Sequence, residues 1–242
     1  MPVTTIADLL QLLTREAGRP RITWYGQGGE RVELSGAVLE NWVNKTANLL
    51  VEEFDAGPGT VVGLDLPAHW RTLVWALATW RVGACVSDRA AGSDVLVTDD
   101  PTRGPEHPAL VVVPLPALAR RVEGVLPPGA IDAGSAVMTY ADQLLWAPTA
   151  VASAPALDTG GAVILHDGLV GALTEAVPTT PERVLLPAGD LASFLRAGVG
   201  TLLAGGSVVV LHGDVADELA RDDARRARLL STEQVTTELP HP

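Results

Sequence analysis

Apolar residues near the start of the chain recur at steps of three and four, the spacing that lines one face of a helix. Ile6, Leu9, Leu10 and Leu13 predict a first helix, with Thr5 placed to cap it and Asp8 three residues on. Arg21 to Trp24 and Arg31 to Leu34 flank Gln27-Gly28-Gly29 and predict a hairpin. Ser35 can cap a long helix that buries Leu39, Trp42, Val43, Ala47, Leu50 and Phe54. That periodicity leaves Asn41, Lys45, Asn48 and Glu52 facing water.

Beyond Ala56-Gly57-Pro58-Gly59 the pattern changes to unbroken apolar runs, the mark of strands buried on both faces. Strands are predicted at Thr60 to Leu66, Asp94 to Val97 and Ala109 to Val113. Helices are predicted from His69 to Val82, apolar almost all round, and from Leu115 to Arg121. The stretch 122–157 carries Pro127-Pro128-Gly129, Pro148 and Pro155 and reads as a linker or surface excursion, with one short helix at Ala141 to Trp146. Alternation then resumes: strands at Ala162 to Leu165, Arg183 to Leu186 and Ser207 to Leu211, helices at Gly168 to Ala176, Ala192 to Leu203 and Asp214 to Ala220. Such βα alternation predicts an α/β fold with mainly parallel sheets. Three blocks follow: a βα lobe at 1–121, the excursion at 122–157 and a second βα lobe at 158–242.

Composition narrows the function. A formal net charge of −12 repels nucleic acid and acidic membrane surfaces. Arg221, Arg225, Arg226 and Arg228 are interleaved with Asp222 and Asp223, which reads as a solvated helix face. No apolar run reaches the roughly 20 residues that a membrane span needs. With a single cysteine and no secretory leader pattern, a cytoplasmic location is expected.

Few residues carry recognisable chemistry. Cys85 ends an apolar step with no histidine nearby and reads as a packed thiol. Gly198, Gly200 and Gly205 lie in and after a helix that precedes a strand, the reverse of a dinucleotide fingerprint. No G-x-S-x-G elbow offers a nucleophilic serine. His166 has no cysteine or carboxylate at ligand spacing, so no metal is expected. Of the six tryptophans, Trp70 and Trp146 fall outside the core spacing and are candidate partner contacts.

Several segments resemble adenylate-forming enzymes of the acyl-CoA synthetase (AMP-binding) superfamily. Arg31-Val32-Glu33-Leu34-Ser35, Val61-Val62-Gly63-Leu64-Asp65-Leu66-Pro67 and Val82-Gly83-Ala84-Cys85-Val86 are similar to that family's opening motifs, in the same order. Ala162 to Leu169 resembles the "G-V-x-L-T-H-x-N-L" segment, and Leu202 to Val210 the "L-x-x-G-x-x-x-V" step. The likeness covers about residues 5 to 235, the front of the family's large domain. It implies a three-layer α/β architecture with flanking helices.

Family members hold triphosphate in a loop of the type "T-S-G-T-T-G-x-P-K-G". Only Asp158-Thr159-Gly160-Gly161 stands at that place here, shorter, without lysine and with a carboxylate where phosphates would approach. The one lysine of the chain, Lys45, is on the predicted solvent face of another helix. The family's aromatic or histidine after "L-P-x-F-H" would fall near Asp190. The resemblance therefore implies a non-catalytic, truncated relative, a pseudoenzyme with no catalytic residue and no cofactor. Thr159, Gly160, Gly161 and His166 are its candidate ligand-binding residues, and a small acyl or nucleotide compound the candidate ligand. A homo-oligomer or a protein partner is expected to cover exposed apolar surface. The alternative is one half of a split acid–thiol ligase that needs a separate partner for ATP-dependent acyl activation.

Overall fold

The computed structural model describes residues 3–103, 107, 109–117, 119–175, 177, 180–186 and 189–239. Along the chain run α1 (Ile6–Thr14), β1 (Pro20–Tyr25), a 3-10 turn (Gln27–Gly29), β2 (Arg31–Ser35), α2 (Gly36–Phe54), β3 (Val61–Asp65), α3 (Trp70–Arg81), β4 (Cys85–Ser87), β5 (Val95–Thr98) and β6 (Leu110–Val112). They are followed by β7 (Ile131–Asp132), α4 (Ala133–Ala136), β8 (Pro155–Asp158), β9 (Val163–Leu165), α5 (Leu169–Thr174), β10 (Arg183–Leu185), α6 (Leu191–Leu203), β11 (Ser207–Leu211), α7 (Gly213–Ala220), α8 (Asp223–Thr232) and β12 (Thr237–Glu238). The chain divides into two compact units, Met1–Leu39 with Ala68–Leu73 and Val170–Pro242, and Glu40–Pro67 with Val74–Leu169. These differ from the blocks 1–121, 122–157 and 158–242, because strand pairing rather than chain order gathers β8 and β9 with β3 to β7.

The first unit holds a five-stranded sheet in the order β12-β10-β11-β1-β2, parallel except for β2. Thr5 and Asp8 close a capping box on α1, as the sequence pattern predicts. α6 buries Phe194, Leu195, Val199 and Leu202, and two of its glycines permit close packing. A Cβ on Gly198 would lie 2.9 Å from the Leu73 side chain, and one on Gly200 only 2.1 Å from the Leu173 carbonyl oxygen. Steric need, not phosphate binding, explains these glycines. Trp70 is 2% exposed and rests on the Arg71 guanidinium, so it belongs to the core and not to a partner contact.

The second unit holds a seven-stranded sheet in the order β7-β6-β5-β3-β4-β8-β9, parallel except for β9. The excursion is part of this unit rather than a linker. Val122, Leu126 and Ala130 pack on Leu96, Leu110 and Val112, β7 and β8 extend the sheet, and α4 supplies the helical turn. The helix expected at Leu115 to Arg121 is replaced by turns; Pro116 disfavours helical backbone at Leu115, and Leu118 lies outside the described residues.

Residues 141–146 are not helical either, because their backbone is held from outside. Lys45 Nζ donates to the Tyr140 carbonyl at 2.5 Å, and Asn44 Nδ2 to that of Asp142 at 3.0 Å. Asn48 Nδ2 reaches the carbonyls of Ala141 and Gln143 at 2.9 and 3.0 Å. Asn48 is consequently buried and Lys45 half-buried, correcting the solvent-facing assignment of both. A strap seated on the polar face of α2 is invisible to helical periodicity. Among the described residues no helix is long and apolar enough to cross a membrane.

Candidate functional site

Residues 158–161, which the sequence likeness sets against the family's phosphate loop, form the turn of the β8–β9 hairpin. β8 ends at Asp158, which pairs in register with Ser87 at the end of β4. The Thr159 N–H donates to the Ala162 carbonyl at 3.3 Å, and Gly160 takes the left-handed conformation at φ +71°. The Gly160 N–H points at Asp158 Oδ1, 3.0 Å away. The other carboxylate oxygen, Oδ2, pairs with the Arg89 guanidinium. Arg89 leaves β4 just after Ser87, whose Oγ accepts its N–H at 3.1 Å. A backbone donor and a cation thus converge on the turn, and both are already engaged by a carboxylate of the chain itself.

Thr159, Gly160 and Gly161 form this turn together, whereas His166 serves a different one. Its Nε2 lies 3.0 Å from the Gly83 carbonyl and its backbone N–H donates to Ala154 at 3.0 Å. Burial pushes the His166 pKa down, more than its hydrogen bonds to the Gly83 and Ala84 backbone raise it. The neutral ring therefore donates from Nε2 and braces the Gly83 turn. There φ is +79° and a Cβ would meet Ala150 at 2.9 Å. Arg89 is the residue that sequence reasoning missed. Nothing in local spacing reveals that β4 and β8, some seventy positions apart, lie side by side.

The remaining candidates are structural. Burial, helped by the charge of Asp158, pushes the Cys85 thiol up to about 11, so it stays protonated and unreactive at neutral pH. Asp190 caps α6, its Oδ1 accepting the Ser193 N–H at 2.7 Å. Among the described residues no group of three or more His, Cys, Asp or Glu side chains could hold a metal.

Two sheets of this order, flanked by helices, define the fold of the front part of the acyl-CoA synthetases. An acyl-CoA synthetase of Brucella canis superposes with a TM-score of 0.68 at 18% identity, over 88% of this chain and 45% of that one. Coronafacic acid ligase of Pectobacterium brasiliense superposes at 0.69 with 12% identity, over 90% and 47%. The chain thus spans about half the length of these solved enzymes. No family model matches the sequence. It is, however, 32% identical over 253 residues to a TIGR03089 family protein of Mycobacterium tuberculosis (strain ATCC 25618 / H37Rv), covering 97% of this chain and 98% of that relative. The chain belongs to the TIGR03089 family.

Proposed function

We propose that this chain is a non-catalytic protein of synthetase fold that binds a small ligand or a protein partner and does not adenylate carboxylic acids. One observation carries this reading: the carboxylate of Asp158 already occupies both the Gly160 N–H and the Arg89 guanidinium. A triphosphate approaching the turn meets a neutralised cation, a satisfied donor and a fixed negative charge. The only lysine is spent on the Tyr140 carbonyl of the strap. Exposed apolar side chains in the second unit, among them Leu145, Trp146 and Val163, support a partner-binding role. The test is pyrophosphate exchange on purified chain with magnesium, ATP and a panel of carboxylic acids, beside thermal shifts with the same ligands. No exchange and no ATP-dependent stabilisation are expected; exchange above background ends the reading.

A second reading, in which a separate chain completes an adenylating site, draws on the superposition of this fold on the front part of a solved synthetase. It requires ATP or an acyl adenylate to bind the mixture of two chains and neither chain alone.

A further inference from the structure

A cavity of about 480 Å³ lies in the first unit, remote in sequence from the β8–β9 turn. Its position follows from sheet topology. β11 and β1 are parallel neighbours, with Leu211 in register with Tyr25 at their carboxyl ends. From there the chain leaves in opposite directions: β1 turns directly into β2 on one side, while β11 runs through α7 and α8 to β12 at the far edge. Connections that part in this way open a crevice at the carboxyl ends of the strands, where open α/β sheets bind ligands. The glycine turn after β1 forms one wall and α7 with α8 the other.

The walls specify a chemistry. Val215, Leu219 and Leu229 make an apolar side. On the polar side Arg225 pairs with Glu218 at 2.6 Å, and Gln27 Nε2 donates to Asp214. Among the described residues Arg228 has neither an ion-pair nor a hydrogen-bond partner. One uncommitted guanidinium beside an apolar wall suits a single negative charge on a hydrocarbon body. The carboxylates of Asp214 and Glu218 in the same cavity disfavour dianions and polyanions. At Gly26 the turn packs directly on the Trp24 ring, from which a Cβ would lie only 2.2 Å.

We infer that this cavity binds a small aliphatic monocarboxylate, with its carboxylate on Arg228 and its chain against Leu219 and Leu229. The site is independent of the β8–β9 turn, so it stands or falls apart from the function proposed above.

The experiment titrates ¹⁵N-labelled chain with hexanoate, with hexanamide of equal shape and no charge, and with inorganic phosphate. Hexanoate is expected to shift the Gly28, Gly29 and Leu229 amides, with hexanamide about tenfold weaker, the size of one charge-assisted hydrogen bond. Phosphate is expected to leave those amides unmoved. Arg228→Gln should weaken hexanoate by a similar factor. Glu218→Gln, which removes a carboxylate and frees Arg225, should tighten it, a change that damage to the fold cannot mimic. Equal affinity for hexanoate and hexanamide, absence of saturable shifts at these amides, or indifference to both substitutions overturns the proposal.

Discussion

Two glycine-containing turns, each beyond the carboxyl end of a parallel strand, end in opposite states. At the β8–β9 turn Gly160 N–H and Arg89 converge, and Asp158 consumes both. At the β1–β2 turn Gly28 and Gly29 face a cavity in which Arg228 is uncommitted among the described residues. Glycine alone therefore does not make an anion site. What differs is whether a cation beside the turn already carries a carboxylate of the chain: Arg89 does, and among the described residues Arg228 does not.

The second state depends on how α8 is held, and the largest expected effect comes from loosening it. Glu233 follows α8 and is almost fully buried, accepting from Tyr25 Oη at 2.5 Å, from Arg31 Nε at 3.0 Å and from Arg183. Burial would raise its pKa, but the hydrogen bonds from Arg31, Tyr25 and Arg183 outweigh this and hold it below the usual value. Glu233→Ala leaves Arg183 without its carboxylate and is expected to cost about 3 kcal/mol in denaturant unfolding. A group with a depressed folded pKa stabilises above its unfolded pKa, and that stability is lost as pH falls through the folded value. The wild type should therefore lose melting temperature below pH ~4.5 more steeply than Glu233→Gln. Parallel pH profiles would remove Glu233 as the anchor of α8.

The two turns also use glycine for different reasons, which their alanine variants separate. Gly26 has φ −103°, open to any residue, but no room, because the buried Trp24 ring occupies the Cβ position. Gly26→Ala should cost about 1–3 kcal/mol through overpacking and lower hexanoate affinity with it. Gly160 has room, its nearest neighbour being Arg89 Cδ at 3.8 Å, but φ is +71°. Gly160→Ala should cost about 1–2 kcal/mol, the penalty of left-handed backbone, and leave hexanoate binding unchanged. Equal effects of the two substitutions on hexanoate affinity would show that the turns have been assigned the wrong constraints.

Elements whose pattern is local were legible in the sequence. The capping box at Thr5, the hairpin around Gly28, the apolar faces of α2 and α6 and the alternation behind the α/β fold all rest on residues a few positions apart. What escaped is long-range. The strap on α2 reversed the exposure of Asn48, the β8 strand hid in a proline-rich stretch, and Arg89 reached Asp158 only through the β4–β8 pairing. The acidic, lysine-free character of residues 158–161 was visible in sequence; that the carboxylate seals the turn was not.

That seal can be opened by a single neutral substitution. Asparagine at 158 keeps a side-chain oxygen for the Gly160 N–H, so the turn should survive, while the charge on Arg89 loses its counterion. The ion pair joins an exposed arginine to a carboxylate that is itself partly open to solvent, so its loss should cost less than about 1 kcal/mol of stability. Binding should change more than folding. Asp158→Asn is expected to acquire weak, salt-sensitive affinity for pyrophosphate, seen as shifts of the Gly160 and Gly161 amides that the wild type lacks. The β1–β2 cavity should respond to hexanoate as before, since nothing in it has been altered. Were Asp158→Asn to remain as indifferent to pyrophosphate as the wild type, the turn would lack anion-binding geometry altogether. The contrast between the two turns would then rest on backbone shape rather than on an internal carboxylate.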